Sequence, residues 1–372
     1  MRDILKFSDL FDFQKKSKIK AGDGLPEGLY DFYTSSPNLK KKYDEALFEN
    51  NSLVFGTGGL PSVHFANTTF SVSTDCLVAQ PKKEFEVKFI YYFFLANMWI
   101  LENGFKGAGL KHISKSYISN IDIPLPPKEV QRKIIKEMDE AKKLIDKRKI
   151  SLQLLDDYLK AVFLEMFGDP VANPKGWEVK KMGDILDNID GGWSPKCCNY
   201  PASGEKWGVL KLSSITSCEY IEHENKELLT EFEPRLNLEI QKGDLLFSRK
   251  NTYDLVAACA FVKNTRPKLM MSDLIFRLVI KQGTGVLPIF LWKLLINSRK
   301  RKQIQSLGNG ASGSMPNISK AKLKTVDIIL PPLHLQDKFV EIFWKVEEIK
   351  QSMNTQSKEL DTNFNALMQG AF

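Results

Sequence analysis

The polar segment Ser248-Arg249-Lys250-Asn251-Thr252 follows an apolar run and carries side chains that could read nucleic-acid bases. An arginine can donate two parallel hydrogen bonds to the edge of guanine, and an asparagine can form a similar pair with adenine. A related apolar run ends at Phe55, and Gly56-Thr57-Gly58-Gly59 and then Ser62 to His64 follow it. These segments are candidate base-reading loops, with an ordinary connecting loop as the alternative for each.

Basic clusters could contact the phosphate backbone, which binds proteins mainly through charge. The clearest cluster is Lys293 with Arg299-Lys300-Arg301-Lys302, and Lys40-Lys41-Lys42 is a smaller one. The Gly/Ser-rich loops Lys106 to His112 and Asn309 to Ser314 would allow close backbone approach, although a solvated surface is the alternative for the charged runs. The predicted DNA-binding residues are Lys40, Lys41, Lys42, Thr57, Ser62, His64, Lys106, Lys111, Arg249, Lys250, Asn251, Thr252, Arg299, Lys300, Arg301, Asn309 and Ser312.

Two other patterns suggest catalysis but lack the context that catalysis requires. Phe55 to Gly59 is similar to the glycine loop that holds S-adenosylmethionine in methyltransferases, yet Leu60-Pro61 follows where a helix should begin. Asp75 with Glu86-Val87-Lys88 has the acid-x-lysine spacing of metal-dependent nucleases, a weak pattern in a chain so rich in charge. We predict no catalytic residue and no metal ligand in this chain.

Composition limits the class of protein. The 372 residues contain 53 Lys+Arg against 45 Asp+Glu, a formal charge of +8, and the 43% hydrophobic content excludes wholesale disorder. The five cysteines form no Cys-x-x-Cys pair, which argues against a disulfide framework or a zinc site. The start does not have the pattern of a signal peptide, and the longest apolar stretch, Phe89 to Leu101, is too short to cross a bilayer. The expected location is the cytoplasm.

The chain contains an internal repeat. Ile113-Ser114-Lys115 recurs 205 residues later as Ile318-Ser319-Lys320, and the same offset carries Leu125-Pro126-Pro127 onto Leu330-Pro331-Pro332 and Gln131 onto Gln336. Upstream, the apolar segments Ser52–Phe55 and Asp244–Phe247 correspond more weakly, as do Phe89–Leu95 and Ile289–Leu295. The order is therefore a globular block, a helix, a second globular block and a second helix.

Each repeat ends in a predicted helix of unusual length. No Gly or Pro occurs from Lys128 to Phe167, which predicts a helix of about 40 residues, or roughly 60 Å. Apolar residues recur at alternating steps of three and four in both segments, the pattern of helices that pack on a partner helix. The predicted helix-packing residues are Ile134, Met138, Ile145, Leu152, Leu155, Leu159, Phe339, Phe343, Val346, Met353, Leu360 and Phe364.

Chain connectivity predicts that the two helices are antiparallel, because the second must return from the block to which the first one leads. The predicted domains are a first recognition domain at 1–126, a long helix at 127–170, a second recognition domain at 171–331 and a second long helix at 332–372. A rigid spacer with two similar basic domains is typical of proteins that read two separated DNA half-sites.

The sequence resembles the specificity (S) subunits of type I restriction–modification systems. The resemblance rests on the repeated Ile-Ser-Lys…Leu-Pro-Pro…Gln segments, on Phe167-Gly168-Asp169-Pro170, on Gly176-Trp177-Glu178 and on Gly243 to Ser248. The first globular block departs from the family pattern, since it begins without a Gly-Trp-Glu segment and is shorter than the second globular block.

The resemblance implies an α+β fold. Two α/β target recognition domains would be separated by an antiparallel coiled coil of two long helices, with an internal pseudo-two-fold repeat. The chain would be a non-catalytic subunit that binds double-stranded DNA and two methyltransferase (M) subunits, with restriction (R) subunits as optional partners. S-adenosylmethionine, ATP and Mg²⁺ would be bound by the partner subunits, and no cofactor by this chain. The alternatives from the residues are a coiled-coil scaffold that joins two protein-binding domains, and a stand-alone DNA methyltransferase or nuclease.

Overall fold

The structure, a computed structural model, describes residues 3–308 and 315–372. The chain forms two units: unit 1 comprises Met1–Leu152 and Ser352–Phe372, and unit 2 comprises Gln153–Gln351. Among the described residues, no helix is both long and apolar enough to span a membrane.

Unit 1 begins with short strands and helices that lead into a long helix, whose residues after Leu152 belong to unit 2. Its elements, in chain order, are β1 (Asp3–Lys6), α1 (Phe7–Leu10), β2 (Phe11–Phe13), β3 (Tyr30–Tyr33), β4 (Lys41–Tyr43), β5 (Ser52–Gly56), β6 (Ser62–Ala66), β7 (Phe70–Val72), β8 (Cys76–Pro81), α2 (Val87–Ala96), α3 (Met98–Glu102), α4 (Lys115–Ser119), β9 (Asp122–Leu125) and α5 (Lys128–Phe167). The strands form the sheets β1-β9, β2-β8-β5-β6 and β4-β3-β7.

Strand β5 is buried on both faces, which explains its continuous apolar sequence. Successive side chains of a strand point to opposite faces. Leu53 and Phe55 belong to the core beneath α2, whereas Val54 belongs to a separate cluster that includes Tyr33 and Phe70. One strand therefore connects the two cores of unit 1.

Unit 2 has the same elements in the same order. They are β10 (Glu178–Lys181), α6 (Met182–Ile185), β11 (Leu186–Gly191), β12 (Gly208–Leu210), β13 (Asn225–Glu227), β14 (Leu245–Ser248), β15 (Cys259–Phe261), β16 (Leu269–Met270), β17 (Ile275–Ile280), α7 (Pro288–Ile296), α8 (Ser298–Gln305), α9 (Lys320–Lys324), β18 (Asp327–Leu330) and α10 (Leu333–Ala371). The sheets are β10-β18, β11-β17-β14-β15 and β13-β12-β16, which reproduce the strand orders of unit 1. Strand β14 also has two buried faces, since Leu245 and Phe247 enter one core and Leu246 the other.

The structure confirms the predicted repeat and extends it to the first strand. The Asp9 carboxylate accepts a hydrogen bond from the Lys6 backbone at 3.0 Å, and Asp184 does the same for Lys181 at 3.3 Å. The two lysines form ion pairs at equivalent places, with Asp122 at 2.7 Å and with Asp327 at 2.6 Å. The sequence comparison missed this correspondence because so few of the residues of these short elements are identical.

The repeated Pro-Pro-x3-Gln motif joins each long helix to the preceding globular block. Gln131 is 3% exposed; its side chain accepts from the Glu86 backbone N–H at 3.1 Å and donates to the Pro126 carbonyl at 2.8 Å. Gln336 is fully buried and makes the matching bonds, to the Leu287 N–H at 2.9 Å and to the Pro331 carbonyl at 2.9 Å. Each glutamine thus fixes the start of α2 or α7 against the start of α5 or α10.

Replacement of Gln336 by alanine is expected to lower the free energy of unfolding by about 1–3 kcal/mol, because buried backbone groups lose their partners. Urea denaturation measures the change. Gln153→Ala is the matched control, since its exposed amide donates to Asp157 on the same helix and to no other described residue. Equal urea midpoints for the two variants would contradict the proposal that Gln336 stabilises the contact between the starts of α7 and α10.

The long helices run antiparallel where each unit contains parts of both, as predicted. In unit 1, the start of α5 shares a core with the end of α10, with Ile134 and Met138 packed near Met368. In unit 2, the Phe339 ring at the start of α10 lies 5.5 Å from Phe163 near the end of α5. Among the predicted packing residues, Ile134, Met138, Ile145, Leu159, Phe339, Phe343 and Val346 are buried, and Leu152, Leu155, Met353, Leu360 and Phe364 are half-buried.

Candidate nucleic-acid interface

Three loops of unit 2 converge beyond the end of β14. The Arg249 N–H donates to the Leu274 carbonyl at 3.1 Å, which joins the loop after β14 to the loop before β17. The Arg249 carbonyl accepts from the Ile318 N–H at 2.8 Å, and this joins both to the segment before α9. The convergent loops form a surface that we call the unit 2 loop cluster: residues 249–252, 271–274 and 315–318.

Two basic side chains, Arg249 of the cluster and Lys320 just after it, lie near the ring of Phe276. The Arg249 guanidinium lies 5.4 Å from the centroid of Phe276, and the Lys320 ammonium lies 5.7 Å from the same ring. The Arg249 Nε and the Asn317 Oδ1 are buried and have no hydrogen-bond partner within the described ranges. Such atoms are costly to leave unpaired. The cluster therefore combines positive charge with unused hydrogen-bonding capacity.

Unit 1 has the same loop arrangement with different side chains. The Thr57 N–H donates to the Asp75 carbonyl at 2.9 Å, and the Ile113 N–H donates to the Thr57 carbonyl at 3.1 Å. These bonds match those of Arg249, so Thr57 occupies its position. His112 pairs with Gly58 as Asn317 pairs with Lys250. We call residues 57–59, 73–75 and 106–113 the unit 1 loop cluster.

Lysines surround the unit 1 loop cluster. Lys106 pairs through its backbone with His112, and the side chains of Lys106 and Lys111 are exposed. The Lys115 ammonium lies 5.2 Å from the Phe13 ring centroid, as its counterpart Lys320 lies near Phe276. Sequence reasoning missed Lys115 and Lys320 as site residues, although the repeated Ile-Ser-Lys motif was the signal that could have identified them.

Other predicted residues of unit 1 stabilise the fold or lie elsewhere. Ser62 is 3% exposed and donates to the Ser35 carbonyl at 3.2 Å. The His64 Nε2 lies 2.9 Å from the Ser36 carbonyl, and burial lowers the pKa of this imidazole. Ser62 and His64 are therefore corrected from base readers to side chains that hold the loop at 35–36.

The Lys40–Lys42 run lies on or beside β4, in the three-stranded sheet. Lys41 donates to the Ala21 carbonyl at 2.6 Å, and Lys42 forms an ion pair with Asp31 at 2.7 Å. Lys40 is exposed. The structure does not bring this run into the unit 1 loop cluster.

The basic cluster on α8 also requires correction, because its charges are used within unit 2. Arg299 pairs with Asp169 at 2.8 Å. Lys300 is 2% exposed and donates to the Asp327 carbonyl at 2.8 Å, and burial lowers its pKa. Arg301 donates to the Asp254 carbonyl at 2.9 Å, and so supports the segment after β14. Lys300 and Arg301 are therefore corrected from phosphate contacts to side chains that stabilise unit 2, and Arg299, which stays exposed, lies outside the unit 2 loop cluster.

The remaining residues of the loop after β14 differ in accessibility. Asn251 is 6% exposed, and its side-chain oxygen accepts from the Thr252 N–H at 2.9 Å, so its prediction as a base reader is also corrected. Lys250 is half-buried and Thr252 is exposed. Asn309 and Ser312 lie outside the described residues.

The two patterns that suggested catalysis have ordinary structural roles. The glycine run after Phe55 leads from β5 into its antiparallel neighbour β6, not into a helix. Glu86 pairs with Arg132 at 2.8 Å, and Lys88 pairs with Asp139 at 2.7 Å. In the part of the chain that the structure describes, no group of His, Cys, Asp and Glu could hold a metal ion.

Comparison with known proteins identifies relatives in sequence and in fold. The sequence profile of the family described as type I restriction modification DNA specificity domain matches residues 3–154 and 174–362. The EcoEI specificity subunit of Escherichia coli is 35% identical over 192 residues, which are 50% of this chain and 32% of that protein. The EcoKI specificity subunit of Escherichia coli strain K12 is 24% identical over 77% of this chain and 63% of its own length. The chain thus spans less than two thirds of either relative.

Two solved structures share the fold. The S subunit of a type I restriction–modification system from M. genitalium superposes with a TM-score of 0.58 and 16% identity, over 100% of this chain and 96% of that one. A chain from a study of assembly and conformational transition in a type I R-M system gives a TM-score of 0.57 and 16% identity, over 99% and 97%. With the profile matching both halves of the repeat, the chain belongs to the type I restriction–modification DNA specificity family.

Proposed function

We propose that this protein is the sequence-specific DNA-recognition subunit of a type I restriction–modification complex, in which each unit reads one half of a bipartite target. One observation carries the proposal: equivalent loop clusters occur in both units, built on identical strand orders but carrying different side chains. Identical scaffolds would present the loops in the same way, and different residues would select different bases. The names of the relatives, which are specificity subunits, support this assignment.

The remaining parts of the chain have proposed roles in assembly. Residues 1–126 and 171–331 are the two target recognition domains, and the helices at 127–170 and 332–372 set the distance between half-sites and dock two methyltransferase subunits. Exposed basic side chains on α5, such as Lys133 and Lys136, support a docking surface. Restriction subunits are further partners. S-adenosylmethionine, ATP and Mg²⁺ belong to those subunits, this chain is not an enzyme, and the complex acts in the cytoplasm.

The residues proposed to contact DNA are polar or basic residues that lie in the two loop clusters or, for Lys115 and Lys320, just after them. They are Thr57, Lys106, Lys111, Lys115, Arg249, Lys250, Thr252 and Lys320. The scaffold alternative, in which both domains bind proteins, predicts no dependence of DNA affinity on any of them.

Arg249→Ala is expected to weaken binding of the assembled complex to its target by about 1–3 kcal/mol, or roughly 5- to 150-fold. The reason is that a guanidinium in a loop cluster can contact a base edge or a phosphate. Fluorescence anisotropy with labelled duplexes measures the affinity, and base substitutions in each half-site show which half loses discrimination.

Arg299→Ala is the matched control, since its guanidinium pairs with Asp169 and not with the loop cluster. The proposal expects its DNA affinity to remain within about twofold of the unchanged complex. Equal affinities for the Arg249 and Arg299 variants would count against a DNA contact by Arg249.

A further inference from the structure

A cleft of about 610 Å³ opens in unit 2 beside α7. It is bounded by the second half of α5, the α7–α8 junction, the turn at 217–219 and one side chain of α10. Leu159, Leu164 and Ile296 contribute apolar walls, and Lys160 and Lys293 contribute amines. The cleft lies apart from the residues of the unit 2 loop cluster, and the proposed DNA contacts make no use of it.

Among the described residues, no carboxylate forms an ion pair with the Lys293 ammonium, although Glu219 also lines the cleft. Its Nζ lies 3.7 Å from the centroid of the Trp292 ring and 5.4 Å from that of Phe343, and no hydrogen bond or ion pair joins it to any described residue. An aromatic ring offers a cation less stabilisation than a carboxylate together with water does. Lys293 is therefore a poorly solvated amine on a side chain that lines the cleft.

Neighbouring lysines already occupy the carboxylates around Lys293. Lys263 bridges Glu219 at 3.0 Å and Glu347 at 2.6 Å. Lys350 of α10 pairs with Asp156 of α5 at 2.7 Å. Two lysines thus pair with the three carboxylates around the amine, and among the described residues none of these carboxylates forms an ion pair with Lys293.

These surroundings favour the neutral, nucleophilic form of Lys293. The pKa of Lys293 is lowered to about 8, mainly by burial; the charges of Lys263 and Lys350 act in the same direction, and those of Glu219 and Glu347 oppose it. At about pH 7.5, such an amine has a neutral fraction on the order of 200 times that of an ordinary surface lysine. Its lower basicity offsets part of that advantage, because nucleophilicity falls with basicity.

We propose that the cleft makes Lys293 an acylation site for acyl phosphates. The amine nitrogen attacks the carbonyl carbon, and the bond from that carbon to the phosphate oxygen breaks. Inorganic phosphate leaves with a proton from the amine, and an amide remains on Lys293. The apolar walls suit the acyl group, and the Lys160 ammonium at the rim suits the phosphate dianion.

The proposed acylation site occurs in unit 2 and has no counterpart at the corresponding position of α2 in unit 1. In the correspondence of Phe89–Leu95 with Ile289–Leu295, Phe93 of α2 takes the place of Lys293 and carries no amine. The proposal does not rest on DNA recognition, since it concerns a different surface and a covalent product.

The test exposes the full chain to acetyl phosphate and follows acetylation of each lysine by mass spectrometry after digestion at glutamate. We expect the initial rate at Lys293 to exceed that at the exposed Lys302 by about tenfold or more, with a rate–pH midpoint near 8. Lys293→Arg should abolish the fast site. Rates at Lys293 and Lys302 within twofold of each other, or a midpoint near that of a surface lysine, would overturn the proposal.

A second variant tests the role of the phosphate. Lys160→Ala removes a side chain whose own ion pair lies on the exposed helix surface, with Asp157 at 2.9 Å. We expect it to slow acetylation of Lys293 by acetyl phosphate by about threefold or more, and to leave the rate with the uncharged p-nitrophenyl acetate unchanged. Unchanged rates with both reagents would refute recruitment of the phosphate.

Discussion

Exchange of residues 171–331 for the corresponding segment of another family member is expected to change one half of the methylated target and to preserve the other half. The physical reason is that the exchanged segment contains every strand of unit 2, so that each of its three sheets is replaced as a whole. The loop cluster moves with those sheets, while the unit 1 loop cluster keeps its residues. Methylation mapping in cells that supply the partner subunits would identify both halves of the new target.

The reciprocal exchange of residues 1–126 is the control, and it should change only the other half. A change in both halves after either exchange would contradict the assignment of one reader to each unit. Loss of methylation with a folded chimaera would point to the junctions at Pro170 and Pro331, where the long helices meet the exchanged blocks.

Removal of seven residues from each long helix is expected to shorten the gap between the two half-sites and to abolish methylation at the original gap. Residues 146–152 and 352–358 suit the deletion, since none of them is buried. Seven residues leave the alternating three–four steps of the apolar seam intact and remove about 10 Å of helix. The new gap should be shorter by roughly one to three base pairs.

Deletion from α5 alone is the matched control for the spacer prediction. It shifts one apolar seam against the other, so we expect a destabilised chain and weak methylation at any gap. If the double deletion folds and still methylates the original gap, the helices do not set the spacing.

The helices and the repeat could be predicted from the sequence because their signals are local. Forty residues without Gly or Pro predict α5 directly, and Pro126-Pro127 marks its start. The role of Gln131 could not be read in the same way, because its partner at Glu86 is 45 residues away and offers only a backbone N–H. The sequence shows that the glutamine recurs, and the structure shows that its side chain accepts a hydrogen bond from a backbone N–H.

The candidate site was predicted only in part, because the sequence shows which residues are charged but not which groups they pair with in the fold. The run on α8 has the composition of a phosphate-binding patch, yet Lys300 and Arg301 donate hydrogen bonds to backbone carbonyls of the same unit. Arg249 was selected for its type, and the structure places it in the unit 2 loop cluster beside Phe276. Lys320 was part of a visible motif, but its proximity to the same ring depends on strand pairing that no local pattern contains.

The central claim is that this chain recognises the target DNA sequence, while a partner subunit catalyses methyl transfer. The most direct test maps adenine methylation across the DNA of cells that express a matching methyltransferase subunit, with and without this chain. The account predicts methylation at a single bipartite motif only when both proteins are present, and no methyl transfer by the purified chain alone. Incorporation of label from S-adenosylmethionine into DNA by this chain alone, or an unchanged methylation map when it is removed, would contradict the account.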